Sequence, residues 1–189
     1  MRKQKGFSLI ELLIVVAIIL IIAAIAIPSL LRSKMAANNS GATATIRTLN
    51  TTEVAYATSY PTIGYASTLP QLGPANPCSQ LGACLVDQNV GCAAPGGPCP
   101  KSGYNYFLND GLGTNVVPVP PAPPNVDYSA TASPITIGTS GDQNVCSFSD
   151  GVLRSTKNVN PPVIPPPLVP APGVTSAACN TITAFGPVQ

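Results

Sequence analysis

An apolar run from Phe7 to Ile27, broken only by Ser8 and Glu11 and preceded by Arg2, Lys3 and Lys5, constrains this chain more than any other feature. A helix over those positions is about 31 Å long, the thickness of a bilayer's hydrocarbon core. The basic residues ahead of it predict an N-terminus on the cytoplasmic side and a body beyond the membrane. No other stretch approaches eighteen consecutive apolar residues, so the chain reads as a single anchor with an exported body. Composition narrows what that body does. Among 189 residues there is no histidine, which removes Ser-His-Asp and Cys-His relays and His-liganded zinc, so neither an enzyme nor a cofactor is expected. With a net charge of +2 and three of the nine basic residues inside the first five positions, no basic patch is left for nucleic acid.

Glu11 is the exception within the run. A carboxylate in the middle of an apolar helix costs about 2.5 to 3.5 kcal/mol on insertion scales and marks a functional position unless it snorkels to the membrane edge and caps the helix dipole. Upstream stands Lys5-Gly6-Phe7-Ser8-Leu9-Ile10-Glu11. This stretch, with the basic leader, the apolar run and Pro28, resembles the processing site of type IV pilins and of the related pseudopilins of type II secretion. The resemblance implies a prepilin peptidase that cuts after Gly6 and methylates the new amine of Phe7, with Glu11 as the family's glutamate at the fifth mature position. It also implies identical subunits and an inner-membrane assembly platform as partners. The chain would wait in the inner membrane, then enter a pilus at the cell surface or a short periplasmic pseudopilus.

Cleavage there would free an amine one helical turn from a carboxylate, both in an apolar medium. Each charge then needs the other. If Glu11 of one subunit pairs with the Phe7 amine of a neighbour, the desolvation cost is offset only when subunits stack in register. Two other readings compete. A pseudopilin keeps this chemistry in another machine, whereas an ordinary signal peptide cut after Ala26 would release a secreted, cysteine-stapled binding domain.

Beyond the membrane, Met35, Ala42, Leu49 and Tyr56 recur every seven residues with Leu31 and Ile46 nearby, while Asn38, Asn39, Thr43, Arg47 and Thr51 fill other faces. One helix from Phe7 to about Ser59 follows, protruding in its first half and packed in its second. Pro28 predicts a bend, Gly41 a second soft point, and the resemblance implies lost helical regularity over Ala23 to Pro28 within filaments.

The expected fold class is α+β, with that long helix laid on a small antiparallel sheet, the pilin roll. The organisation reads as a leader over 1–6, the helix over 7–59 with 7–28 in the membrane or filament core, a Cys- and Pro-rich loop over 60–103, the sheet over 104–157 and a proline-rich tail over 158–189. Strands are expected at Tyr104–Leu108, Thr114–Val119, Tyr128–Thr131, Ile135–Gly138, Asn144–Phe148 and Val152–Ser155, of which three or four form the sheet. The late segment Cys146 to Arg154 loosely resembles a pilin hairpin. Six cysteines in an exported chain without a C-x-x-C pair read as three disulfides among fifteen connectivities. The preferred pairing joins Cys78 to Cys84 and Cys92 to Cys99, closing short loops, and Cys146 to Cys179, pinning the tail. Asp and Asn near Asp110, Asn115, Asp142, Asn144 and Asp150 are explained by turns, and no metal is expected. The segment Asn160 to Pro172 is extended and drapes over the head or serves as a spacer. Two short N-glycosylation matches, at Asn38 and Asn50, fall on the helix and carry no weight.

Overall fold

The computed structural model describes residues 8–92, 99–110, 124–157 and 186–187. Helix α1 runs over Leu9–Ser59, 51 residues or about 77 Å. Extended Ser8 caps its start, and it ends where the Tyr60 N–H donates to the Tyr56 carbonyl at 2.9 Å. Pro28 and Gly41 both lie inside it. In the single subunit α1 is thus helical through Ala23 to Pro28, the stretch for which the resemblance implies lost regularity within filaments. Proline removes a single backbone donor, and the helical turns on either side keep theirs.

The packed stripe on α1 is Ala42, Thr45, Ile46, Leu49, Thr52, Glu53 and Tyr56, spaced by three and four as one helical face requires. Of the expected stripe, Ala42, Ile46, Leu49 and Tyr56 are buried, Met35 is half-buried and Leu31 is exposed, because the head stops short of them. Asn38 and Asn39, expected on outward faces, instead reach the head. The Asn38 amide nitrogen donates to the Ser140 carbonyl at 2.7 Å, and Asn39 bonds to the Asp142 carboxylate.

Among the described residues the head is a six-stranded antiparallel meander in chain order: β1 (Cys99–Lys101), β2 (Tyr104–Asp110), β3 (Tyr128–Pro134), β4 (Gln143–Phe148), β5 (Arg154–Lys157) and β6 (Gly186–Pro187). The fold class is thus the expected α+β, with more strands than the three or four foreseen. β1 and the one-turn helix α2 (Leu69–Leu72) sit inside the stretch read as loop. The β1–β2 connection explains why. Ser102 at φ 50° and Gly103 at φ 78° form a two-residue hairpin turn whose positive φ values match the strand twist.

Other expectations shift. Ile135–Gly138 is a turn region rather than a strand, with the Thr136 carbonyl accepting from the Ser140 N–H at 2.9 Å. It closes on Gly141, where any Cβ would lie 2.3 Å from the Tyr104 hydroxyl oxygen. The strand placed at Val152–Ser155 begins instead at Arg154, since the Asp150 carboxylate takes the Val152 N–H at 2.9 Å and holds the turn open two residues longer. Thr114–Val119 lies outside the described residues.

Alternation sorts the sheet into two faces. Tyr104, Tyr106, Leu108, Ala130, Ala132 and Val145 join Ala42, Ile46, Leu49 and Tyr56 in one core, while Cys146 and Phe148 form a separate small cluster on the other side. Disulfides bond Cys78 to Cys84, with Cα atoms 5.7 Å apart, and Cys92 to Cys99, at 5.6 Å. They staple the Cys-rich stretch that a hydrophobic core alone would hold poorly. Cys179, the expected partner of Cys146, lies outside the described residues.

Candidate functional site

From Leu9 to Leu31, sixteen large aliphatic side chains around the whole girth of α1 are exposed, from 46% at Val16 to 77% at Leu9. None of the most apolar stretch is buried. A helix apolar on every side is stable in water only when something covers it, and covering these side chains is worth on the order of tens of kcal/mol. The same length and composition suit a membrane anchor.

At the tip of this surface the Glu11 carboxylate folds back onto the helix start, with the Ser8 N–H donating to its Oε2 at 3.0 Å. Glu11 is the third helical residue after Ser8, where an acidic side chain both caps an orphan amide and meets the positive end of the dipole. One bond leaves most of the carboxylate's acceptor capacity unused. The structure thus aims this charge at the Ser8 backbone, next to the position read as the processing junction. Gly6 and Phe7 lie outside the described residues, so the junction itself is not described.

The opposite half of α1 is locked to the head by polar as well as apolar contacts. The Tyr104 hydroxyl donates to Asn39 Oδ1 at 2.5 Å, and Asn50 Nδ2 donates to Ser147 Oγ at 2.8 Å while its Oδ1 accepts from Tyr128. Both asparagines of the glycosylation-like motifs, Asn38 and Asn50, therefore have their amide nitrogens committed to the helix–head seam. Glu53 is the least expected member of this half. It is fully buried, its Oε2 accepts from the Ala66 N–H at 2.8 Å, and its Oε1 has no partner. Burial pushes its carboxyl up to about 8, against the lowering effect of that one backbone bond.

The N-terminal segment matches known proteins. The family described as "prokaryotic N-terminal methylation motif" matches residues 1–27. Over 44 residues the chain is 59% identical to the type IV wide pilus major component PilA4 of Thermus thermophilus, a match covering 23% of this chain and 34% of that protein. The N-terminus carries a prokaryotic N-terminal methylation motif. The chain spans about a third of the relative it matches, and no solved structure matches it. It is type IV pilin-like in this motif and in joining a long apolar helix to a small antiparallel sheet.

Of the positions singled out in this pilin-like chain, Glu11 and Pro28 share the exposed apolar half of α1, and Cys78, Cys84, Cys92, Cys99 and Cys146 belong to the head. Among the described residues no three His, Cys, Asp or Glu side chains gather as a metal site would need. Asp142 and Asp150 are engaged otherwise, the latter with Arg154 at 2.7 Å, which holds the Asp150 carboxyl below its ordinary range. Glu53 went unread in the sequence, although its place between Leu49 and Tyr56 on the buried stripe was a signal. A carboxylate on that stripe has to be buried or break the stripe.

Proposed function

We propose that this chain is a structural subunit of a type IV pilus. A prepilin peptidase removes residues 1–6 and methylates the Phe7 amine; an assembly platform in the inner membrane then moves the subunit from lipid into a filament at the cell surface. The observation that carries this reading is the exposed apolar half of α1, which nothing within the head covers. Lipid covers it before assembly. Identical helices cover it afterwards, so the exchange replaces one apolar surroundings by another and leaves polar contacts to choose the arrangement.

Glu11 makes that choice. Its carboxylate, already turned towards the helix start, accepts the Phe7 ammonium of an adjacent subunit alongside its own Ser8 N–H. Pro28 marks the level at which the helix leaves the filament core for the head. The description of the Thermus relative as a pilus component favours a pilus over a pseudopilus. Intact mass measurement of the mature protein tests the processing step: a chain starting at N-methylated Phe7 supports it, and one starting at Ile27 contradicts it. Long surface fibres containing this chain support the pilus, whereas fibres confined to the periplasm would assign it to secretion.

A further inference from the structure

The turn over residues 135–140 occupies a particular place on α1. Asn39 of α1 bonds to Asp142, and Asn50 bonds to Ser147 Oγ. Eleven residues of helix and five of nearly extended chain separate these anchors, and each stretch spans about 17 Å, so β4 runs along α1 in the direction away from Leu9. The turn ahead of β4 is therefore the edge of the head nearest the apolar run. The Ser140 carbonyl, bonded to Asn38, lies about 10 Å along the helix from Leu31. Between the two levels stand Arg32 and Lys34, both exposed and without an ion-pair partner among the described residues.

What the turn exposes suits lipid. Ile135 is 53% exposed and Ile137 38%, and the segment from Pro134 to Gly141 has no charged residue. Its amides are already used. The Ile135 N–H donates to the Gly103 carbonyl, the Thr136 N–H to Ser140 Oγ, the Gly138 N–H to the Gly141 carbonyl, and those of Thr139 and Ser140 to the Thr136 carbonyl. Leaving bulk water thus strands few backbone donors. The opposite end of the head, where Ser129 pairs with Phe148, also exposes Val126 and Val152, but each stands close in the chain to a carboxylate, Asp127 or Asp150.

We infer that, before the subunit enters a filament, this turn rests in the phospholipid headgroup layer with Ile135 and Ile137 at the boundary of the acyl chains. The inference rests on the reading of Leu9 to Leu31 as the membrane span. Leu31 then marks the hydrocarbon edge, with Arg32 and Lys34 at the depth of the phosphates. The headgroup layer is about 5 to 8 Å thick, which fills most of the gap of about 10 Å below the Asn38 contact. Isoleucine side chains in that gap meet apolar surroundings without any movement of the head on α1, and binding of this kind scales with the apolar area covered. The contact holds the head in one orientation over the bilayer and is given up on extraction.

The test uses the full chain in phosphatidylcholine nanodiscs. The chain has no tryptophan, so Ile137→Trp, Val152→Trp and Leu20→Trp each add a single reporter, which lipids spin-labelled in the headgroup or in the acyl chain quench on contact. Acyl label should quench Leu20→Trp. Headgroup label should quench Ile137→Trp about twofold more than Val152→Trp, whose tryptophan has the same preference for interfaces. With Leu20→Trp quenched, equal quenching at 137 and 152 overturns the inference and leaves the membrane span standing. An unquenched, blue-shifted Ile137→Trp assigns the turn to a second copy and also overturns it. Leu20→Trp beyond the reach of the acyl label removes the span itself, and the inference with it. In the parent chain, headgroup label should broaden the amide resonances of Thr136 to Thr139 more than those of Ser149 to Val152; broadening that is equal or in the reverse order overturns the inference without any substitution.

Discussion

The two halves of α1 differ in how they satisfy the same chemistry. From Ala42 to Tyr56 the helix follows the usual compromise of a soluble fold, with one buried stripe, one exposed flank and polar side chains tied to a sheet. From Leu9 to Leu31 there is no flank to expose, since aliphatic residues occupy every side and the sole charge caps the helix start. A stripe needs a partner on one side, which the same chain supplies. A fully apolar cylinder needs partners all round, which a single head cannot supply, and that is why the second half specifies a fold and the first half needs a cover from outside the head.

The largest effect is expected at Glu11. On the proposed pairing, Glu11→Ala would leave the neighbour's buried ammonium unpaired, a loss of about 3 to 5 kcal/mol per contact, so filament yield should collapse while membrane-inserted subunit stays at the parental level; normal yield would break the contrast between the halves. Leu49→Ala should lower the stability of the head by about 2 to 5 kcal/mol in thermal or denaturant unfolding, whereas Leu20→Ala should leave the head unchanged. Equal effects of the two would show that the first half is packed in the monomer after all.

Glu53 sharpens the comparison through pH. Its folded carboxyl titrates near 8 and its unfolded one near 4.5, so between those values the folded state holds a proton that the unfolded state has released. The contribution of Glu53 to head stability is therefore greatest below about pH 4.5 and falls by about 1.4 kcal/mol per pH unit up to about pH 8. In Glu53→Gln this slope should vanish, and a persistent slope would place the titrating group elsewhere. Smallest is the polar seam: Asn39→Ala should cost about 1 to 2 kcal/mol by removing its bonds to the Tyr104 hydroxyl and the Asp142 carboxylate, while Ser33→Ala, whose hydroxyl only reaches the Ser29 carbonyl of its own helix, should cost nothing measurable in the head.

The helix was legible from residue type and spacing because both of its signals are long, an unbroken apolar run and then a period maintained from Ala42 to Tyr56. The sheet was legible in kind but not in extent. Tyr104–Leu108 and Asn144–Phe148 read as strands on their own, whereas β1 depends on Ser102-Gly103 turning the chain back, and β6 is a two-residue strand that only its pairing with β5 reveals. Asn38 and Asn39 misled because asparagine on a helix normally faces water; here the 136–142 turn comes to them. Glu53 was missed because a carboxylate suggests a surface, and only the fold shows that burial with a single backbone donor is its environment.

Electron cryomicroscopy of filaments assembled from this chain tests the central claim most directly. The account predicts the Glu11 carboxylate within about 4 Å of the Phe7 nitrogen of an adjacent subunit. A map in which Glu11 contacts only its own Ser8, with that nitrogen paired elsewhere or facing water, would contradict it.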